Sequence, residues 1–346
     1  LTSLRPRPGP YKTSRERKAK LLQFQNEVRS GAADPTTAFR YDIMEGLSLA
    51  PKAIPARWLY DRRGSALFEA ITLLPEYYPT RTERSILASA VSEISALAGP
   101  GRAVIEFGSG SSAKTRLLLA ETEPSAYVPI DISGEFLREV AAGLSYAFPG
   151  LPIYPTEADF TYPFTLPEEI ASTARLGFFP GSTIGNLTVS AAVDLLRATA
   201  TTLGVGSMLL IGIDRIKDQD TLLPAYDDTQ GLTAAFNLNL LHRINRELGG
   251  SIPLGAFRHL ARWNDAEARI EMHLEAIRDV GFEVDGRGFF LTKGETIHTE
   301  NSLKYGRRDA FVLLQAGGWD PIADWTDDRE LFSVILAERR PARAAP

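Results

Sequence analysis

Short apolar runs separated by helix-length amphipathic segments dominate the middle of the chain. Ala103–Phe107 predicts a strand, Ala113–Glu121 the helix after it and Tyr127–Ile132 a second strand. Gly134–Tyr146 predicts a helix with Phe136, Val140 and Leu144 on one face. A short strand at Ile153–Pro155, a strand at Leu176–Phe179, a helix at Ser190–Leu203 and an apolar strand at Ser207–Ile213 continue the rhythm. Strands alternating with helices of this length predict a parallel sheet covered on both faces. Near Lys217 the pattern changes. Asp218–Leu248 reads as almost continuous helix, ended by Gly249 and Gly250. Ala268–Ala276 alternates strictly: Ile270, Met272, Leu274 and Ala276 share one face, and Arg269, Glu271, His273 and Glu275 the other. That predicts a half-exposed strand of an antiparallel sheet, with Phe289–Leu291 and Thr296–Glu300 as further members. Arg308–Ala316 reads as a helix, and Ala323–Asp327 and Leu331–Ala337 as strands able to return to the edge of the first sheet. The expected fold is α/β, a Rossmann-like sheet interrupted by an inserted α+β region at about Ile216–Lys304.

Composition narrows the function classes. The 346 residues suffice for about two domains, and 44% hydrophobic with 23% charged residues is ordinary for a globular protein. A net charge of −5 gives no support to a nucleic-acid or anionic-membrane partner. No apolar run approaches the roughly 18 residues needed to cross a bilayer. The basic first segment (Arg5, Arg7, Lys12, Arg15, Arg17, Lys18, Lys20) lacks the apolar centre of a signal peptide and reads as a flexible arm. The absence of cysteine removes thiol nucleophiles, disulfides and Cys-based metal sites, and the four histidines are scattered rather than paired at ligand spacing. A cytoplasmic protein without a metal is the expectation.

The densest chemistry lies in Val104–Thr115, where a strand ends in Glu106 and leads through Gly108-Ser109-Gly110 into a helix. A strand, a tight glycine turn and a helix N-terminus form a cradle for a nucleotide-like group. Three owners are open. Gly108-x-Gly110-x-x-Ala113 satisfies a dinucleotide fingerprint, and Gly108-x4-Ala113-Lys114-Thr115 falls one residue short of a phosphate-binding loop. Glu106 before the first glycine tilts the reading towards S-adenosylmethionine, whose ammonium and sulfonium favour a carboxylate nearby. Asp131 at the end of the second strand is placed for a ribose hydroxyl pair, and Asp159-Phe160 for adenine, although Asp159 can equally be a loop-start carboxylate. Tyr60 and Tyr77 sit among Pro, Gly and Arg, as core aromatics or as the walls of a site for a small zwitterion. Asn186, after Gly185, is either a turn residue or an amide aimed at an amine.

Five strings taken together carry a resemblance: Tyr60-Asp-x-x-Gly-Ser-x-Leu-Phe68, Leu74-Pro-Glu-Tyr-Tyr-Pro-Thr-Arg81, Gly181-Ser-Thr-Ile-Gly-Asn186, Ala225-Tyr-Asp-Asp228 and Thr299-Glu-x-Ser302. In this order the chain resembles the histidine-specific Nα-methyltransferases of ergothioneine biosynthesis, from about Gly46 onwards. The resemblance implies a class I methyltransferase sheet and three methyl transfers from S-adenosylmethionine to the α-amine of L-histidine. The product is hercynine, and the mono- and dimethylated amino acids are intermediates. It implies that Gly108, Lys114, Asp131, Asp159 and Phe160 hold the cofactor. Tyr77 and Tyr226 would bind the carboxylate, and Asn186, with Tyr60 through water, would orient the amine. Glu300 and Ser302 would bind the imidazole, with Met272 lining that end. The implied division is a basic arm at 1–33, a substrate-binding domain at 34–80 and 217–304, and a methyltransferase domain at 81–216 and 305–346, the whole working as a monomer.

Overall fold

The continuous apolar segments form the interior of the larger of two sheets. The computed structural model describes residues 35–109, 113–132, 134–161 and 164–339. The basic arm, Gly110 and the side chain of Phe136 lie outside the described residues. Along the chain the strands are β1 (Lys52–Ala53), β2 (Ala103–Phe107), β3 (Ala126–Asp131), β4 (Thr156–Glu157), β5 (Arg175–Phe179), β6 (Met208–Asp214), β7 (Phe257–Asn264), β8 (Arg269–Ala276), β9 (Val280–Val284), β10 (Arg287–Leu291), β11 (Thr296–Leu303), β12 (Asp320–Thr326) and β13 (Phe332–Glu338). Seven of them form one sheet in the order β12-β13-β6-β5-β2-β3-β4. The strands from β6 to β4 run parallel, and β13 is antiparallel to both its neighbours. Every residue of β2 and β6 is buried, as apolar strands covered on both faces must be. This is a Rossmann-like, doubly wound sheet with an antiparallel edge. Its strand order reverses between β2 and β5, where such sheets open a crevice at the strands' C-terminal ends.

A second sheet, β1-β11-β8-β7, builds a smaller body with its own core. Helices Pro35–Gly46, Arg62–Thr72 and Leu232–Leu248 contribute Phe39, Ile43, Ile71, Phe236 and Leu240 to that core. The inserted region closes on itself where it leaves the large sheet. The Tyr305 N–H donates to the Asp214 carbonyl, and the Ile216 N–H donates to the Tyr305 carbonyl. Helix Tyr78–Ala98 crosses the expected boundary at residue 80 and packs on the large sheet's other core. Among the described residues no helix is long and apolar enough to cross a membrane, and no group of three or more His, Asp or Glu is placed to hold a metal.

Several expectations need correction. Asp218–Leu248 is not one helix: it breaks into Gln219–Leu222, a 3-10 turn at Leu223–Ala225 and a new helix at Leu232–Leu248. Pro224 cannot continue a helix, and the Asp228 carboxylate starts the new one by accepting from the N–H groups of Leu232 and Thr233. Ile153 forms only an isolated bridge to Tyr127, and the strand lies one step later at Thr156–Glu157. Phe289–Leu291 pairs with β9 in a separate hairpin rather than with the second sheet. The polar face of β8 is covered, not solvated. Glu271 accepts from Arg262, Asn264, Arg269 and His273, and His273 stacks on His298 with ring centroids 4.7 Å apart. Alternation predicts which side chains share a face. It does not predict that arginines will roof the polar face.

Candidate active site

One cavity of about 830 Å³ lies between the C-terminal ends of the large sheet and the second sheet. All twelve residues singled out for the site line it: Tyr60, Tyr77, Gly108, Lys114, Asp131, Asp159, Phe160, Asn186, Tyr226, Met272, Glu300 and Ser302. That volume is within the usual range for small-molecule sites.

On the large-sheet side the strand ends set each group. Gly108 follows β2 with φ of +74°, in the left-handed region that glycine adopts without strain, and its open Cα side faces Phe160 3.6 Å beyond an imagined Cβ. The N–H groups of Gly108 and Ser109 both donate to the Ile130 carbonyl, which ties the loop to β3 just before Asp131. Phe160 is held edge-on by Phe107 and Phe179, at centroid distances of 6.0 and 5.6 Å. Close backbone approach at Gly108, a carboxylate at Asp131 and an aromatic face at Phe160 suit the amino-acid, ribose and adenine parts of S-adenosylmethionine.

Three carboxylates there have partners that sequence does not show. Glu106 Oε2 accepts from the Thr115 and Tyr127 hydroxyls at 2.8 and 2.6 Å, so this oxygen fastens strand to helix rather than meeting an ammonium. Burial pushes the Glu106 carboxyl up to about 7 against those hydrogen bonds. Asp159 accepts from the Thr161 N–H at 3.0 Å and from Arg57 at 3.1 Å, which combines the loop-start reading with a link to the smaller body. Lys114 pairs with buried Glu83 at 2.6 Å, and Glu83 also accepts from the Gly181 N–H. An ammonium has three donors, so this pairing leaves Lys114 able to meet a second acceptor.

On the other side aromatic rings form the wall. Tyr60, Phe68, Tyr77, Tyr226 and Phe236 make edge contacts with centroids 5.3 to 6.2 Å apart. Each tyrosine comes from the end of an element: Tyr60 closes the 3-10 turn Ala56–Leu59, Tyr77 caps the start of helix Tyr78–Ala98 and Tyr226 closes Leu223–Ala225. β11 supplies the polar floor through a bulge. His298 opposes His273, but one residue is skipped and Glu300 opposes Met272. Directly opposed residues share a face, so the bulge at Thr299 moves Glu300 and Ser302 from the histidine side to the side of Met272 and the cavity.

Glu300 is the hub of this floor. Asn186 Nδ2 donates to Glu300 Oε1 at 3.2 Å, and the Tyr60 hydroxyl faces the same carboxylate. Burial raises the Glu300 carboxyl to about 7, although Lys304 and the Tyr60 hydrogen bond favour its ionised form. Burial first, and then the charge of Glu300, push the Tyr60 phenol well above its ordinary value. Tyr60 is therefore a protonated phenol at neutral pH. The Asn186 amide, fixed by giving its Nδ2 to Glu300, turns its oxygen to whatever amine lies opposite. Asn186 ends the 3-10 turn Thr183–Asn186, and Gly185 is needed there because a Cβ would meet the Leu303 carbonyl oxygen at 2.8 Å.

A buried ionic cluster behind the floor is absent from the sequence reading. Asp214, ending β6, pairs with Lys217 and Lys304 at 2.6 Å each and accepts from the Tyr78 hydroxyl. Lys304 was detectable: it stands two residues beyond Ser302 and so on its face of the strand. Arg57 was also missed, and no local pattern marks it.

Residues 39–339 match the sequence family described as histidine-specific, S-adenosylmethionine-dependent methyltransferases. The chain is similar to histidine N-alpha-methyltransferase of Mycolicibacterium smegmatis, 40% identical over 320 residues that span 89% of this chain and 97% of that protein. It is 40% identical over 308 residues to histidine N-alpha-methyltransferase of Mycobacterium tuberculosis, spanning 87% of this chain and 95% of the other. Ergothioneine biosynthesis protein 1 of Neurospora crassa is 30% identical over 302 residues, 84% of this chain and 34% of that longer protein. Of the three owners open to the glycine loop, S-adenosylmethionine is the one that holds. The chain belongs to the histidine-specific, S-adenosylmethionine-dependent methyltransferases.

Proposed function

We propose that this cavity converts L-histidine to hercynine in three successive transfers to the α-amine, with the mono- and dimethylated amino acids as intermediates. The observation that carries the reading is the meeting, in one cavity, of a nucleotide cradle with an acceptor amide and a buried carboxylate. Gly108, Asp131, Asp159, Phe160 and Lys114 hold the cofactor. S-adenosylmethionine supplies the electrophilic methyl group and a positive charge beside the amine. Every other requirement falls on the protein. The amine must present its lone pair in line with the methyl carbon, and holding that attack geometry is worth roughly 7–11 kcal/mol. Asn186 Oδ1 accepts from the amine, and Tyr60 fixes it through water. Tyr77 and Tyr226 donate to the carboxylate, and Glu300 and Ser302 hold the imidazole beside Met272. Each transfer breaks the sulfonium–methyl bond, leaves S-adenosylhomocysteine and releases one proton from the amine to solvent, so each methyl group replaces an N–H and weakens the hold of Asn186. The carboxylate and imidazole anchors are unaffected by methylation, so they keep the second and third acceptors in place.

The smaller body is, on this reading, the specificity half, at 34–80 and 217–304, and the larger sheet is the methyl-donor half. We take the active unit as a monomer, and a cytoplasmic address fits a pathway on free amino acids. Incubation with S-adenosylmethionine and each amino acid in turn, followed by mass spectrometry, tests the reading. Histidine is expected to gain one, two and finally three methyl groups. A protein that leaves histidine unmodified while methylating another amine overturns it.

A further inference from the structure

Lys304 is fully buried and does not line the cavity, yet it touches two residues that do. Its ammonium donates to the Tyr226 hydroxyl oxygen at 2.8 Å and to the Ser302 hydroxyl oxygen at 2.8 Å, and pairs with Asp214 Oδ2 at 2.6 Å. Tyr226 and Ser302 are themselves 2.7 Å apart. An ammonium has three donors and no acceptor, so these three contacts use all of them. Each hydroxyl, having accepted from Lys304, has its one hydrogen left to give. In the empty cavity one of those hydrogens bridges the two hydroxyls. When the amino acid arrives, the Tyr226 hydrogen can turn to its carboxylate and the Ser302 hydrogen to its imidazole.

Charge points the same way. Asp214 carries one negative charge against Lys217 and Lys304, all three buried. A surplus of buried positive charge is costly unless an anion comes near. Glu300, on the cavity side, offsets it only in part, because burial raises its own carboxyl to about 7.

We propose that Lys304 is a positioning and specificity-determining residue: it turns the Tyr226 hydroxyl to the substrate carboxylate and the Ser302 hydroxyl to the imidazole as hydrogen donors, and through Tyr226 the site takes an amine bearing a carboxylate and rejects the decarboxylated amine. This rests on the histidine reading above. Lys304→Met removes the donors at similar volume and leaves Asp214 paired with Lys217 and Tyr78, so no carboxylate is orphaned.

The test is a cycle of KM and kcat measurements on wild type, Lys304→Met, Tyr226→Phe/Ser302→Ala and the triple variant, with histidine and histamine as acceptors. Lys304→Met is expected to raise the KM for histidine about tenfold or more, with kcat within about threefold. The preference for histidine over histamine should shrink by the part of that factor carried through Tyr226 and the carboxylate, and S-adenosylhomocysteine affinity should not change. Adding Lys304→Met to Tyr226→Phe/Ser302→Ala should raise KM little further, because the intermediaries are gone. An additive effect in that background, an unchanged KM, or equal losses in KM, cofactor affinity and melting temperature would overturn the proposal. Lys304→Gln goes through the same cycle if the Met variant does not fold. A wild-type protein that accepts a different amino acid removes the histidine reading alone, since the cycle then runs on that amino acid and its decarboxylated amine.

Discussion

In the function proposed above, the carboxyl of Glu300 accepts an imidazole N–H from a place where burial favours its protonated form. Its proton is held more tightly in the folded protein than at the ordinary value of 4.5, so its contribution to stability is full below that value and is lost as pH rises through about 7. Histidine binding needs the ionised form, so kcat/KM for histidine is expected to rise with pH through about 7. Glu300→Gln should remove that part of the rise and lower kcat/KM about tenfold or more, the worth of a charge-assisted hydrogen bond. Its ligand-free melting temperature should also lose less than wild type between pH 4.5 and 7. The comparison must be between variant and wild type, because His273, depressed to about 4 by burial, adds stability as pH rises from 4 to 6.5. An unaltered pH profile in Glu300→Gln would reject the assignment.

Elements aim these side chains. The β11 bulge at Thr299 decides which face Glu300 occupies, and the turn Thr183–Asn186 brings Asn186 to meet it. Ser182, at the head of that turn, adopts a left-handed conformation unusual for a serine, and its hydroxyl accepts the Asp214 N–H at 2.9 Å. The turn thus hangs between β6 and β11 with no slack. Gly185→Ala forces a Cβ into the Leu303 carbonyl and is expected to cost about 1–3 kcal/mol of stability by overpacking. The larger effect should be on activity, a fall in kcat/KM of at least about tenfold as Asn186 shifts by a fraction of an ångström. Thermal melting and steady-state kinetics together check this, and a stable variant with wild-type kcat/KM would count against it.

At the scale of the molecule, two bodies with separate cores share one cavity. Arg57 links them: from the smaller body it reaches Asp42 at 2.6 Å and Asp159, after β4, at 3.1 Å. All three side chains are part-exposed, so the link is worth about 1 kcal/mol after solvent screening. Arg57→Ala is expected to weaken S-adenosylhomocysteine binding about fivefold in calorimetry, because Asp159 loses the partner that holds it toward the cavity. An unchanged affinity would mean that Asp159 is positioned by Thr161 alone.

The parallel sheet, its glycine turn and the cavity-lining carboxylate of Asp131 were legible because they depend on local signals: apolar runs of strand length, a glycine at a turn and a carboxylate at a strand end. The long strings around Tyr60, Tyr77, Asn186, Tyr226 and Glu300 carried the family and the substrate. Other features come from contacts distant in sequence. The pairing of β1 with β11 and the covered polar face of β8 depend on what packs opposite them, whereas the break after Pro224 is set locally by the proline and the Asp228 cap. The same holds for the site's charges. Sequence supplied Glu106, Lys114 and Asp159 as free-standing groups. Folding gave each of them a partner: Tyr127, Glu83 and Arg57. Sequence by itself therefore determined which chemical groups the site owns, since residue types and strand ends are fixed along the chain. Tertiary structure alone decided how those groups are ionised and aimed, because burial, a bulge and a lysine behind two hydroxyls act only once distant segments meet.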